Sequence, residues 1–212
     1  MKIDFVSDVS CPWCAVGLHA LEIALDNIGD ELEVEFHVQP FELNPAMGLE
    51  GEDTIEHLSA KYGIDAQQIA QNQAAIRARG EAVGFQFGER SRIWNTFDAH
   101  RMLHWAGVEG APGQQLALKH ALLQAYHGEG RNPGAHEVLL ELAQAVGLDA
   151  GRARDVLASE EFGTDVRQAE SFWQRAGIHS VPAVIINERH LISGGQPPEV
   201  FEQALRQIAA ES

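Results

Sequence analysis

The chain has 212 residues, 45% of them hydrophobic and 22% charged, which suits one domain or a domain with a large insertion. Asp and Glu outnumber Lys and Arg by 31 to 15, so the formal net charge is −16 at neutral pH. Such an acidic excess repels phosphate backbones and anionic lipids, so we expect no nucleic-acid partner and no membrane partner. The N-terminal stretch lacks the apolar core of a signal peptide, which favours a cytoplasmic location.

The first elements along the chain form a predicted strand–helix–strand unit. Residues 2–9 are rich in β-branched and aromatic side chains, which is typical of a strand. A helical period follows Cys11 and ends at Gly29, and residues 32–39 then alternate between apolar and polar side chains, as in a half-buried strand. This order predicts a βαβ unit with two parallel strands.

From about residue 50 the pattern changes, because alternation stops and helical periods follow one another between glycines. Strand-like sequence returns at 181–187 and 190–193, and Pro197-Pro198 opens a last amphipathic helix. Since a βαβ unit needs further strands, the two ends of the chain are predicted to pair. The expected architecture is α/β, a four-stranded mixed sheet with an antiparallel hairpin at one edge, helices on both faces and a large all-helical insertion.

This architecture divides the chain into three predicted segments. Residues 1–48 would supply the N-terminal βαβ part and residues 177–212 the C-terminal ββα part of one domain, with residues 49–176 as the helical insertion domain.

The two cysteines, Cys11 and Cys14, carry the strongest chemical signal. A disulfide that closes so short a loop constrains the unfolded chain very little, so the pair is badly placed to stabilise the fold. At the start of a helix, free backbone N–H groups and the positive end of the helix dipole favour a thiolate at Cys11. Pro12 suits the first helical turn, and Cys14 should be the less exposed thiol. We predict that Cys11 attacks a disulfide and that Cys14 resolves the mixed disulfide.

Two other interpretations of the pair are a zinc site and an inert buried pair. Zinc needs four ligands, and the chain has no second cysteine pair, while His19 would be at most a third ligand; we therefore predict no metal site. His100 and His104 have metal-pair spacing, but Arg101 stands where a zincin has Glu, which favours a solvated or interface histidine pair.

Two neighbours of the cysteines in the predicted fold remain ambiguous from residue type alone. Trp13 either stacks on a substrate or shields the sulfur of Cys11. Val181-Pro182 opens a strand, and for this dipeptide a trans proline at a sheet edge is the default.

Together these motifs resemble the DsbA-like thioredoxin-fold oxidoreductases, and most of all their FrnE-type cytoplasmic branch. The likeness covers essentially the whole chain: Cys11-Pro12-Trp13-Cys14 after a strand, a long helical insertion, and Val181-Pro182 before a hairpin and a final helix. It implies a thioredoxin-like fold, a redox-active Cys11–Cys14 disulfide and no bound cofactor. It also implies that Pro182 is cis and packs against the cysteines, and that Val181 pairs through its backbone with an extended substrate peptide.

The resemblance also points to a groove and to one departure. Residues 95–101 are similar to a stretch that faces the active site in this branch, which makes Asn95 and His100 candidate groove residues. Trp13 stands where DsbA has a histidine. Without an imidazolium beside the thiolate, we expect a less depressed Cys11 pKa and a more reducing pair than in DsbA.

The leading hypothesis is therefore a dithiol reductase or isomerase that exchanges disulfides with protein or peptide thiols, as a monomer or homodimer, with glutathione as a candidate reductant or substrate. A second hypothesis is a glutathione-dependent enzyme of the kappa transferase or 2-hydroxychromene-2-carboxylate isomerase type. Those enzymes typically have serine at the position of Cys11 and lack the second cysteine. A third is a peptide-binding chaperone module with the helical segment as its cradle.

Overall fold

The structure is a computed structural model that describes residues 1–211. Its strands are β1 (Lys2–Ser7), β2 (Glu35–Pro40), β3 (Glu52–Asp53), β4 (Arg92–Ile93), β5 (Ala183–Ile186) and β6 (His190–Ser193). Its α-helices are α1 (Pro12–Ile28), α2 (Thr54–Tyr62), α3 (Ala66–Ala82), α4 (Phe97–Glu109), α5 (Gln114–Leu123), α6 (His136–Ala145), α7 (Ala150–Leu157), α8 (Gly163–Arg175) and α9 (Pro198–Ala210). A 3₁₀ turn covers Gly29–Glu31, and a π-helical turn, Gln124–Gly128, continues α5.

The main sheet has the strand order β2-β1-β5-β6. β1 pairs in parallel with β2 and antiparallel with β5, and β5 and β6 form an antiparallel hairpin at the edge. This confirms the predicted four-stranded mixed sheet, a thioredoxin-like fold in which both ends of the chain contribute strands. β1 lies in the middle of the sheet. The turn that follows its C-terminal end contains Cys11, and α1 begins directly after this cysteine.

Alternate residues of β1 face two different layers of helices, as the period of a strand requires. Ile3 and Phe5 pack in one buried cluster with α1 and α9, through residues such as Leu21 and Phe201. Val6 points to the other side, into a cluster completed by α8 and β5. Helices therefore cover both faces of the sheet, as predicted.

The segment between β2 and β5 builds a second core from α4, α5, α6 and α7, with Trp105 and Leu139 among its buried members. Val9 and Val38 pack into this same core, so it is continuous with the sheet. The assignment of residues 49–176 to a separate insertion domain remains our proposal.

A short ladder between β3 and β4 interrupts the helices and does not follow from the sequence pattern. With two residues in each strand, there is no alternation to recognise. Gly51 precedes this ladder with a positive φ, and a Cβ there would lie 2.4 Å from the carbonyl oxygen of Ile93. Among residues 1–211, no helix is both long enough and apolar enough to span a membrane.

Candidate active site

The turn after β1 places Cys11 at the N-cap of α1, with Pro12 as the first helical residue. The backbone N–H of Cys11 donates to the carbonyl of Asp8 at 3.3 Å, which closes the turn. Cys14 lies one helical turn further on, and its N–H donates to the Cys11 carbonyl at 3.1 Å. Both cysteines are free thiols, with Cys11 4% exposed and Cys14 fully buried. Cys14 is thus the deeper of the two thiols.

The surroundings of Cys11 favour its thiolate. A hydrogen bond from the Cys14 thiol lowers the pKa of Cys11, burial opposes this, and the backbone N–H groups of Cys14 and Trp13 lower it further. The net effect is a pKa below the usual value, although the charge of Asp8 works against it. The first stabilising donor is thus the Cys14 thiol, and the backbone N–H groups of the first helical turn, which the sequence predicted, add to it.

The surroundings of Cys14 favour its protonated form. Burial raises the pKa of Cys14 well above its ordinary value, and the hydrogen bond and charge of Cys11 raise it further. The charge of Lys119 is among the influences that lower the pKa of Cys14. The two thiols therefore differ in protonation, since the surroundings favour the thiolate at Cys11 and the thiol at Cys14.

Val181 and Pro182 lie directly beside Cys11. The peptide bond between them is cis, and the Cys11 thiol donates to the Val181 carbonyl with a sulfur–oxygen distance of 3.6 Å. α1 approaches Pro182 so closely that a Cβ on Gly17 would lie 2.9 Å from the proline Cγ. The glycine therefore permits the contact between this helix and the proline.

Trp13 is half-buried against the same loops. The Arg79 guanidinium lies 5.9 Å from the centre of its ring, and Arg79 also donates to the Gly195 carbonyl at 3.1 Å. Trp13 is thus held between α3 and the loop that follows β6.

A cavity of about 420 Å³ opens beside Cys11, Pro12 and Trp13, between α1 and the helices α2 and α3. Its walls are mostly apolar, with the side chains of Leu43, Leu58, Tyr62, Ile64, Ile69, Ile76 and Ile93. Two cations, Lys61 and Arg90, also line it. An apolar cleft with a few placed polar groups is the usual form of a ligand site. We call it the active-site cavity.

Asn95 and His100 do not line this cavity. Asn95 accepts a hydrogen bond from the Phe97 N–H at 2.9 Å and donates to the Met47 carbonyl at 2.8 Å, so it fixes the start of α4. His100 is 1% exposed and lies with its Nε2 3.3 Å from a carboxylate oxygen of Asp8. His100 therefore lies against the loop that precedes Cys11, whereas Asn95 lies between Met47 and the start of α4.

Asp8 is a buried residue that the sequence argument missed. Its carboxylate accepts hydrogen bonds from the N–H and hydroxyl of Ser10, the N–H of Leu43 and the hydroxyl of Thr96, and it contacts His100. Burial alone would raise its pKa, but His100 and these donors lower it below the ordinary value. An acidic residue in the turn between the first strand and Cys11, three positions before that cysteine, is the sequence signal that could have identified it.

Lys119 was also missed. It is fully buried on α5, and its Nζ has no hydrogen-bond partner among the described residues. Burial lowers the pKa of Lys119, while the charges of Cys14, Asp8 and Cys11 raise it. A lysine within an amphipathic helix normally reaches solvent, so its sequence position gives no signal of this burial.

Comparison with known proteins extends these observations. The family model described as a DSBA-like thioredoxin domain matches residues 2–206. An uncharacterized protein of Bacillus subtilis, YwbO, is 31% identical over 208 residues, which are 97% of this chain and 96% of YwbO. The crystal structure of a probable DsbA oxidoreductase of Streptomyces coelicolor, SCO1869, is 34% identical and superposes with a TM-score of 0.92, covering 100% of this chain and 91% of that one.

Structures of lower identity share the fold. A 2-hydroxychromene-2-carboxylate isomerase is 12% identical with a TM-score of 0.72, covering 100% of this chain and 97% of that one. The cytosolic disulfide reductase DsbM of Pseudomonas aeruginosa, solved with GSH, is 18% identical with a TM-score of 0.66, covering 99% and 100%. The whole-length family match, on a fold that brings two cysteines to the start of a helix, shows that this chain belongs to the DsbA-like thioredoxin-fold oxidoreductase family.

Proposed function

We propose that this protein is a dithiol–disulfide oxidoreductase that reduces or isomerises disulfides of proteins or peptides through Cys11 and Cys14. The observation that carries the proposal is the asymmetry of the pair. Cys11 has a lowered pKa and lines the active-site cavity, whereas Cys14 is fully buried one turn behind it.

In the first step, the Cys11 thiolate attacks one sulfur of a substrate disulfide. A bond forms between Cys11 and that sulfur, and the other substrate sulfur leaves as a thiolate and takes a proton from water. Disulfide exchange depends on the thiolate fraction of the attacking thiol, so the low pKa of Cys11 serves this step.

In the second step, Cys14 loses its proton and attacks the Cys11 sulfur. The Cys11–Cys14 disulfide forms, the second substrate sulfur leaves as a thiolate, and two electrons have passed to the substrate. Because Cys14 is buried, its negative charge needs support from within the protein. The charge of Lys119, which lowers the pKa of Cys14, supplies that support, so we assign Lys119 as a positioning residue for resolution.

The substrate would lie in the active-site cavity, with an apolar side chain against its walls and a backbone segment beside Val181. The Val181 carbonyl oxygen lies 3.6 Å from the Cys11 sulfur, so an extended peptide that pairs with the Val181 backbone would bring its sulfur to the nucleophile. In this arrangement Pro12 and Trp13 line the cavity beside Cys11 and contact the substrate, and Trp13 can stack on it.

Two features favour reduction of substrate disulfides over oxidation of substrate thiols. Trp13 supplies no positive charge to the Cys11 thiolate, so one source of oxidising power is absent from the pair. We further propose a cytoplasmic location, where the thiol poise is about −220 to −320 mV and keeps such pairs mostly reduced. Each cycle then needs two electrons from an external thiol, and glutathione, two molecules per cycle, is the proposed donor.

Glutathione chemistry is also the basis of the second candidate function, a glutathione-dependent transferase or isomerase. The cations Lys61 and Arg90 in the active-site cavity suit the carboxylates of glutathione. The second cysteine argues against this candidate, since a transferase needs no resolving thiol.

Insulin reduction and refolding of scrambled ribonuclease test the proposal, with wild type, Cys11→Ser and Cys14→Ser compared in a glutathione buffer. We expect both activities in wild type, and accumulation of a mixed disulfide at Cys11 in Cys14→Ser. Conjugation of glutathione to an electrophile by wild type, without insulin reduction, would favour the transferase. Ribonuclease refolding that is still promoted after both cysteines are replaced would favour the third hypothesis, a peptide-binding chaperone module.

A further inference from the structure

A second cluster of chemically active side chains lies outside the site described above. His19 and Glu22 are separated by one helical turn on α1, and His120 faces them from α5. One potential ligand atom of each residue lies within 4.8 Å of the other two. The disulfide chemistry makes no use of these three residues.

The cluster is compact and accessible. His120 Nε2 is 2.6 Å from a carboxylate oxygen of Glu22, and the rings of His19 and His120 meet edge to face with their centres 5.2 Å apart. His120 and Glu22 keep 31% and 29% of their side-chain surface exposed. A metal ion could therefore enter from solvent and retain a water molecule as a further ligand.

The donor set is two imidazole nitrogens and one carboxylate oxygen, which is a known protein ligand set for Zn²⁺. Ligating histidines are commonly fixed by a second hydrogen bond to a backbone carbonyl or carboxylate. His19 has such a partner in the Val83 backbone. The ring of Phe85 packs against the His19 ring, with the two ring centres 5.2 Å apart.

We propose that His19, Glu22 and His120 form a binding site for a divalent transition-metal ion, Zn²⁺ by its donor set. The site joins α1, the helix that carries the two cysteines, to α5 of the helical segment. Because the ligands come from two helices that meet in the folded protein, the ion binds the folded state and stabilises it.

Calorimetric titration of ZnCl₂ into Cys11→Ser/Cys14→Ser, after removal of metal with EDTA, tests the proposal without thiol ligands. We expect one equivalent to bind, and His19→Gln, Glu22→Gln or His120→Gln in this background to weaken that binding by at least about tenfold. His37→Gln is the matched control, because His37 and Glu35 form an exposed pair at 2.9 Å that no third ligand joins among residues 1–211.

Thermal unfolding of the same proteins provides a second readout. With free zinc about a hundredfold above the dissociation constant of the parent, the midpoint should rise by roughly 5–10 °C in the parent and in the His37→Gln control, and by about half of that or less in the three cluster variants. The absence of a one-equivalent event, or binding and stabilisation that survive His19→Gln and His120→Gln, would overturn the proposal. In that case the three residues form a hydrogen-bonded cluster alone.

Discussion

The surroundings of Cys11 and of Cys14 differ sharply although the two residues are one helical turn apart. Cys11 receives hydrogen bonds from backbone N–H groups and from the Cys14 thiol, and it borders the active-site cavity. Cys14 lies in the interior, where burial raises its pKa and Lys119 counteracts that effect. In the proposed mechanism Cys11, whose pKa is lowered, attacks first, and Cys14 reacts after a mixed disulfide has formed.

Removal of either thiol should have the largest effect on activity, and the two variants should fail at different steps. Cys11→Ser should reduce insulin reduction by roughly three orders of magnitude or more, since the nucleophile is lost. Cys14→Ser should retain the first attack and stop at a mixed disulfide, which mass spectrometry of the intact protein would detect. Equal loss of the first attack in both variants would contradict the assigned roles.

The buried carboxylate of Asp8 should matter for stability more than for chemistry. Asp8→Ala leaves several buried donors without an acceptor, so the free energy of unfolding should fall by about 3 kcal/mol or more, measured by urea denaturation at pH 7. Asp30→Ala, at an exposed position, is the control and should change it by less than about 0.5 kcal/mol.

The same carboxylate predicts a pH dependence. Folding lowers the pKa of Asp8, so its contribution is complete above the unfolded carboxyl pKa of about 4 and is lost as the pH falls through the folded value. The stability difference between wild type and Asp8→Asn should therefore narrow below pH 4. A constant difference from pH 7 to pH 3 would exclude an ionised Asp8.

Lys119→Met tests whether the buried lysine supports the reaction of Cys14. Loss of this buried cation should raise the pKa of Cys14 and slow resolution of a mixed disulfide at Cys11 by about tenfold, while the first attack changes less. The release of 5-thio-2-nitrobenzoate from Cys11 measures this step. Stability should stay equal or rise, because an apolar side chain replaces a buried charge. Lys2→Met, at a partly exposed lysine, is the control; unchanged resolution in Lys119→Met would remove that residue from the mechanism.

Trp13→His tests the environment of Cys11. An imidazolium beside the thiolate should lower the Cys11 pKa by about one unit and make the pair more oxidising by roughly 30 mV. The reduction potential in glutathione buffers measures this shift. Trp13→Phe retains an aromatic ring without charge, and an equal shift in that variant would show that lost packing against Arg79 is the cause.

The sequence predicts the sheet well because its signals are local. Each of three local patterns specifies one element: the alternation in 32–39, the helical period after Cys11 and the apolar stretch 181–187. Counting the strands then predicts that the two ends of the chain pair. The place of Cys11 at a helix start follows from the same patterns. The short β3–β4 ladder escapes prediction because strands of two residues have no readable period.

The buried polar residues around the cysteines depend on tertiary contacts and could not be predicted in the same way. Lys119 approaches Cys14 from a helix more than 100 positions away in the chain, and its sequence neighbourhood is that of an ordinary amphipathic helix, in which a lysine normally reaches solvent. Asn95 and His100 were expected at a groove, but neither lines the active-site cavity, and His100 contacts Asp8 instead. The family resemblance suggested their importance, whereas their position required the structure.

The most direct test of the central claim is the pH dependence of alkylation of the reduced protein, with each cysteine followed separately by peptide mass spectrometry. The account predicts that Cys11 is modified first, with a midpoint below the ordinary thiol value of about 8.5, while Cys14 remains unmodified over the same range. A Cys11 midpoint at or above that value, or modification of both cysteines at equal rates, would contradict it.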